Sequence, residues 1–438
     1  MEKLAIFGGT PVVQNPPAEL FRWPIITKED EEFALKVIRE NLFSLTEITA
    51  EFEEKFAAWQ GRKYALGFSS GTMSLAAAMF AIGLGAGDEI ICTTKTYWAS
   101  IVQALNFGAV PVFCNIDDQL SMDPDDLERC ITPKTKAIMV VHYLAYPADM
   151  DRIMAIAEKH NLIVIEDCSH AHGALYKGRK VGTFGKVAAM SMMSGKSFAA
   201  GEMGMLVTDD RKVYERAIGY GHYNMFNDEF IKESEDLKPY YNIAMGGVKG
   251  RVNQLCSALA LGQLKYYDER IAEIDKAMNY FWDQLEGLPG IRPIRPAKDS
   301  GSTMGGWYAA NGMYYADQLH GLSPKRFCDA LRAEGFLTYE GGNYCLHTHP
   351  LFQTADLLHA GKPTRIMFAD RDPRPDDKLC DKSLERQCFS VPVFRHFDKE
   401  WIDRYVAAVR KVIDNHEQLL ENDVAGAQGG RWHGHENH

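Results

Sequence analysis

The chain has 438 residues, 46% of them hydrophobic and 24% charged, with a net charge of −11. That length exceeds one hydrophobic core and suits two or three compact units, while the acidic balance argues against a nucleic-acid or anionic-membrane partner, whose phosphates need a clustered basic face. Nine cysteines with no CxxC pair, no signal-peptide-like apolar stretch and no run of about 18 apolar residues predict reduced thiols, a cytoplasmic location and no transmembrane helix.

Residues 1–30 are rich in Pro and Gly and read as an extended arm over the surface or a partner. TKEDEEFALKVIRENL follows as a helix, with Thr27 as its N-cap and acids in its first turn. From about 63 to 210 the chain alternates. KYALGF, DEIICTT, VPVFCNI, TKAIMVVHYL and LIVIEDC read as strands. SSGTMSLAAAMFAIGL, TYWASIVQALNFG and DMDRIMAIAEKHN read as helices. Near-continuous Val/Ile/Leu runs suit strands buried on both faces, and the alternation predicts an α/β fold with a mostly parallel sheet. Residues 211–250 look irregular. The stretch 251–285 reads as a long helix joining two domains, and 290–415 as a smaller α+β unit. The Gly/His-rich end reads as a frayed tail. The expected organisation is an arm (1–30), a large domain (31–265), a small C-terminal domain that includes the connecting helix (266–425) and a flexible tail (426–438).

Four features could carry chemistry. In ALGFSSGTMSL a strand ends in a Ser-Ser-Gly-Thr turn and a helix begins. Its free N–H groups and dipole make an anion cradle at Ser70, Gly71 and Thr72, although an ordinary N-cap turn looks the same. In LIVIEDCSHAHGA an apolar strand delivers Glu166 and Asp167 to its C-terminal end, the edge where open α/β sheets bind ligands. Asp167, His170 and His172 are competent metal ligands, but two histidines two apart on a loop more often serve as hydrogen-bonding residues, so no metal is expected. The third feature is Lys196, in SMMSGKSFAAGEMGMLV. A surface lysine is the usual case. Here methionine, phenylalanine and small residues flank it, and an enclosed amine would be costly unless neutral or covalently engaged. Desolvation lowers a lysine pKa and favours Schiff-base chemistry. The fourth feature is Tyr97 and Trp98 after a strand end, one placed to cover a flat ring and the other to fill the core. An anion cradle, an acid, an amine and an aromatic plate are what pyridoxal phosphate (PLP) requires for its phosphate, ring nitrogen, aldehyde and ring.

Over nearly its whole length the sequence resembles the DegT/DnrJ/EryC1/StrS family of sugar and cyclitol aminotransferases, which are fold type I PLP enzymes. SSGTMSL resembles the phosphate turn, TKTYWAS the ring-stacking segment, EDCSHAHGA the family's EDxAQAHGA, and SMMSGKSFAAGEMG its lysine segment. The resemblance implies a fold type I transferase with a seven-stranded-type sheet and a small α+β domain. It places Lys196 at the internal aldimine and as proton carrier, Asp167 at the ring nitrogen and His170 at the ring 3-hydroxyl. Tyr97 falls on the ring face, and Ser191 on the phosphate. In GGVKGRVNQL, Lys249 stands where the family carries an Asn that reaches the neighbouring subunit's phosphate, so a homodimer with shared sites is implied. YCLHTHPLF resembles the substrate-side segment, which points to Tyr344 and His347. Three departures stand out: Ala145 and Met203 at family glycines, and His170 at a Gln. The last leans the acceptor away from nucleotide sugars. The implied activity is transfer of an amino group from glutamate or glutamine to a keto-sugar or keto-cyclitol. The rival readings are a PLP-dependent dehydratase or lyase, which would carry His at the lysine position, and a non-catalytic PLP-binding regulator.

Overall fold

The computed structural model describes residues 2–44, 47–373, 387–421, 423 and 430–431. Its centre is a seven-stranded sheet. In chain order the strands are β1 (Tyr64–Phe68), β2 (Glu89–Thr93), β3 (Val110–Cys114), β4 (Thr135–Val141) and β5 (Ile163–Asp167). A short antiparallel pair follows, β6 (Leu175–Tyr176) with β7 (Arg179–Lys180), and then β8 (Val187–Ser191) and β9 (Gly204–Thr208). The sheet order is β1-β9-β8-β5-β4-β2-β3. Every neighbour pair is parallel except those of β9, which runs antiparallel to both β1 and β8.

Both faces of this sheet are covered, and the strand period assigns residues to them. On β4, Ala137, Met139 and Val141 enter one core, while Ile138 and Val140 enter the other. Helix α3 (Gly71–Ala81), made almost wholly of small and apolar residues, packs into the first core. Helices α2 (Glu47–Gln60), α4 (Pro124–Cys130) and α5 (Met150–Lys159) pack into the second. Thr27 caps α1 (Lys28–Arg39) through a reciprocal box with Asp30, as the sequence predicts. Helix α7 (Gln254–Gln284) gives Ala260 and Tyr267 to the second core. One end further on, Ile274, Phe281 and Trp282 enter a third core. That core is closed by the three-stranded sheet β10 (Ile291–Pro293), β11 (Asn311–Tyr314) and Gln387–Ser390, by α8 (Pro324–Ala333) and by helix Lys399–Asp414. Among the described residues no helix is long and apolar enough to cross a membrane.

Three local expectations are corrected. TYWASIVQALNFG is not one α-helix but two 3-10 stretches, Trp98–Ser100 and Val102–Phe107, broken at Ile101, whose φ of −136° lies outside the helical range. Residues 211–221 form a helix rather than irregular chain: α6 (Arg211–Gly221) is capped by Asp210, whose side chain accepts the Lys212 and Val213 amides. Helix α2 is an addition, since residues 43–62 carry no assignment in the sequence reading. Of the C-terminal tail, only Gly430–Arg431 falls within the described residues and pairs with Gly342–Asn343; the rest of that expectation lies outside them.

The N-terminal segment is integrated rather than draped. Leu4, Val13 and Leu20 are buried in the third core. The fully buried Glu334 accepts the Ala5 and Val12 amides at 2.8 and 3.1 Å and pairs with Lys411 at 3.0 Å. Glu334→Ala leaves two amides without their acceptor and takes from the buried Lys411 its nearest carboxylate, leaving it the Thr10 carbonyl at 3.0 Å and Glu2 at 3.6 Å. It is expected to cost about 3–5 kcal/mol in urea unfolding and to open the first 20 residues to limited proteolysis.

Candidate active site

The site gathers where β1, β2, β4, β5 and β8 end and β9 begins. Three backbones meet there. A Cβ on Gly71 would come within 2.5 Å of Ser191 Cβ, and one on Gly204 would overlap the Ser70 carbonyl. This turn therefore needs glycine at both positions for close approach rather than for a special φ. Ser70 caps α3 by accepting the Met73 amide at 3.1 Å. Gly71 and Thr72 then begin the helix with amides that have no intrahelical acceptor. Ser191 lies against them, its own amide donating to Ser169 Oγ at 3.0 Å. The result is a small cup of N–H and hydroxyl groups at a positive helix end, suited to an anion.

Asp167 closes β5 beside this cup. It is 4% exposed; its Oδ2 accepts from Ser100 Oγ at 2.7 Å and its Oδ1 from the Ser169 amide at 3.0 Å. One bond per oxygen leaves acceptor capacity for a further donor. Lys196 is 8% exposed. Burial pulls its amine down to about 8, with Asp167 opposing that shift. Its carbonyl accepts from the Trp23 indole at 2.8 Å. His170 and His172 flank the amine. Burial, with Lys196 adding to it, holds His170 well below the ordinary imidazole range and His172 at about 3, so both rings are neutral. His170 Nδ1 accepts the Leu144 amide at 3.3 Å, which puts its proton on Nε2 and makes that nitrogen a donor. Leu144 and Ala145 both have left-handed φ, 52° and 71°. The alanine thus holds a conformation that glycine adopts without strain.

The expected residues divide into four groups. Ser70, Gly71, Thr72, Asp167, His170, Ser191 and Lys196 come together at this edge. Tyr97 is half-buried after β2, its ring 4.9 Å from that of Trp98, which packs on the core. His347 and Tyr344 arrive on a segment tied to the same strand ends. The Leu346 amide donates to Thr94 O at 2.8 Å, His347 Nδ1 meets Thr94 Oγ1, and Tyr143 bonds Asn343. Lys249 precedes Gly250, whose carbonyl accepts the Ser69 amide at 2.7 Å, so its backbone adjoins the Ser70 turn. It is exposed, its amine 5.7 Å from the Tyr223 ring, on a cavity of about 440 Å³ shared with Glu53, His222 and Arg251. The metal reading of Asp167, His170 and His172 gains no support from geometry: the three do not form one of the ligand clusters found among the described residues.

Met203 does not reshape the site. Its side chain is fully buried in the second core, its φ is not left-handed, and its carbonyl accepts the Met192 amide at 2.7 Å. The close-approach glycine of GEMG is Gly204. The residue missed by the sequence reading is Tyr308, whose ring centroid lies 4.2 Å from Lys196 Nζ and 4.6 Å from the His170 ring.

A sequence profile of the DegT/DnrJ/EryC1/StrS aminotransferase family matches residues 24–410. The chain belongs to this family. It is a PLP-dependent aminotransferase. It is 33% identical over 418 residues to a putative L-glutamine:3-amino-2,3-dideoxy-scyllo-inosose aminotransferase of Micromonospora echinospora, covering 93% of each chain. It is 31% identical to a spore coat polysaccharide biosynthesis protein of Bacillus subtilis, over 89% of this chain and 96% of that one. Among solved structures, the aminotransferase from Psychrobacter cryohalolentis superposes with a TM-score of 0.77 at 28% identity, over 90% of this chain and 99% of that one.

Met203→Gly in this aminotransferase is expected to destabilise the fold by about 2–5 kcal/mol, the cost of emptying a buried methionine site. A thermal melt checks this, and retained cofactor absorbance would show the site itself undisturbed.

Proposed function

We propose that this aminotransferase moves an amino group from glutamine or glutamate to the carbonyl of a polyhydroxylated ring, a keto-cyclitol or keto-sugar. The observation that carries the reading is the buried Lys196 amine beside Asp167, at the strand ends where the α3 anion cup opens. Four relatives named as L-glutamine-dependent scyllo-inosose aminotransferases, at 33–40% identity, support a cyclitol as acceptor and glutamine as donor. His170 in place of the family's Gln points the same way.

The residues fit PLP. Lys196 would hold its aldehyde carbon. Asp167, with acceptor capacity to spare, would hold the ring nitrogen, and His170 Nε2–H would donate to the ring oxygen. Ser70, Gly71, Thr72 and Ser191 would hold the phosphate, and Tyr97 would cover the ring. When bound, the cofactor supplies an electron sink for the carbon that loses its proton. The chain's own residues do the rest. Desolvation brings Lys196 close to working pH, where an amine both takes and returns a proton. Neutral His170 and His172 add no competing cation beside it. Asp167 would offer its carboxylate to the ring nitrogen, held in place by Ser100 and the Ser169 amide. Tyr344 and His347, on the segment tied to the same strand ends, would meet the acceptor.

Lys249 is exposed at the rim of an open cavity, where its amine lies near the Tyr223 ring. This supports its reading as a residue for the neighbouring subunit's phosphate, and with it a homodimer in which each site draws on two chains. The absence of a long apolar helix from the described residues, with free cysteines throughout them, is compatible with the cytoplasmic reading.

A panel of ketones with glutamine or glutamate, followed by cofactor absorbance, tests the proposal. The amino donor alone should convert the cofactor spectrum, and a keto-cyclitol should restore it. No conversion by any amino acid would favour the dehydratase reading. Lys196→Ala should lower amino transfer by about 10²–10⁴-fold or more. Lys249→Ala should weaken cofactor retention and leave the monomer fold, seen by circular dichroism, unchanged.

A further inference from the structure

We propose that Tyr308 is a positioning residue for the Lys196 amine, holding it as an ammonium ion against the face of its ring. The inference rests on reading Lys196 as the amine that serves the cofactor. It names a residue that the motifs do not contain.

Lys196 Nζ lies 4.2 Å from the centre of the Tyr308 ring, well within the range in which an aromatic face attracts a cation. Tyr308 is held there by its loop. The Thr303 amide donates to Leu175 O at 2.9 Å, and the Leu175 amide to Thr303 Oγ1 at 3.2 Å. Gly305, at φ 54°, lies so close to the His172 carbonyl that a Cβ would not fit. The buried Trp307 donates its indole N–H to Asp275 at 2.8 Å. Trp307 and Ala309, on either side of Tyr308, both have left-handed backbones, φ 52° and 50°. Non-glycine residues persist in that region only where the surroundings over-determine them, and such strain gathers at functional sites.

The charges around the amine leave the ring a definite task. Burial favours the neutral amine, and Asp167 favours the ammonium ion. His170 and His172 are the other titratable groups beside it, and both are neutral. Tyr308 therefore supplies a second source of cation stabilisation without adding a negative charge that would itself have to be desolvated. Amino-group exchange asks Nζ to take up one proton and give it back, with no net change of electrons. The ring face steadies the state in which Nζ carries that proton. It also fixes where the proton waits.

The test reads Lys196 directly. The full-length chain, freed of cofactor, is labelled with trace acetic anhydride across neutral and alkaline pH, and mass spectrometry follows the Lys196 peptide. Tyr308→Leu is expected to lower the proton affinity of Lys196 by about 2- to 30-fold. Tyr308→Phe, which keeps the ring, should titrate with the wild type. Pentafluorophenylalanine at position 308 keeps the shape and removes the negative face, so it should follow Tyr308→Leu and covers the case in which the leucine variant does not fold. An unshifted leucine or pentafluoro variant would overturn the proposal. So would a phenylalanine variant that shifts as leucine does, because the hydroxyl rather than the face would then be responsible. Borohydride treatment of the wild-type holoenzyme separates this from the underlying reading: cofactor not fixed on Lys196 would sink that reading whatever Tyr308 does.

Discussion

The contact on which the site depends is between backbones. The first turn of α3, the end of β8 and the start of β9 approach so closely that Gly71 and Gly204 have no room for a Cβ. Register explains why the three meet. Gly204 sits opposite Phe68 on one side and Ser191 on the other. The antiparallel strand β9 therefore starts at the same edge at which its parallel neighbours finish. Reversing one strand brings a third chain segment to the ligand-binding edge. It presses the helix terminus against Ser191 and places Lys196, on the loop between β8 and β9, over the end of β5.

That edge also sorts two adjacent acids into different tasks. Glu166 and Asp167 are consecutive on a strand, so their side chains leave opposite faces. Glu166 points into the core side. It accepts the amides of Gly182, Phe184 and Gly185 and a bond from His142, with Arg62 at 3.9 Å. Its acceptor capacity is used up, and it pins the loop beneath the sheet. His142 is fixed in turn, since its Nδ1 accepts the Ala148 amide. In the cluster of His142, Glu166 and Cys168, which has the composition of a metal site, the histidine and the glutamate are thereby engaged in hydrogen bonds. Asp167 makes one bond per oxygen and remains open to a ligand. The dipeptide looks symmetrical in sequence, but only the pleat tells its two carboxylates apart.

Much of this was legible from the residues. Strand, turn and helix around Ser70, the acid at the end of an apolar run and the lysine among small residues are local patterns, and local patterns survive folding. The misreadings have physical causes. The stretch 97–108, which joins β2 to β3, has helical composition. The chain takes tighter 3-10 turns with a break at Ile101. Residues 211–250 look irregular because Gly, His, Asn and Tyr crowd their later part, and this hides a capped helix at their start. Met203 stands where the family resemblance implies a glycine. The residue precedes β9 and buries its side chain in the second core, which leaves the space requirement with Gly204. Tyr308 could not be found by spacing. It lies more than a hundred residues beyond Lys196, in a loop that carries no motif, and only the packing of that loop on His172 and Ser197 brings it to the amine.

The amine itself shows why these pieces must act together. Burial alone would leave Lys196 neutral and poorly placed to carry a proton. A strong ion pair alone would leave it permanently charged and a weak base. The structure sets partial terms against each other. Solvent is nearly excluded, Asp167 acts from beside the amine without a direct ion pair between them, and an aromatic face covers the nitrogen. The outcome, near 8, lies where protonated and free amine coexist at physiological pH. Proton transfer in both directions requires that balance. A second positive charge is kept out by burying His170 and His172 as neutral rings. Protonating either would add a cation beside Nζ and drive the amine toward its neutral form, so the two histidines serve the lysine by staying uncharged.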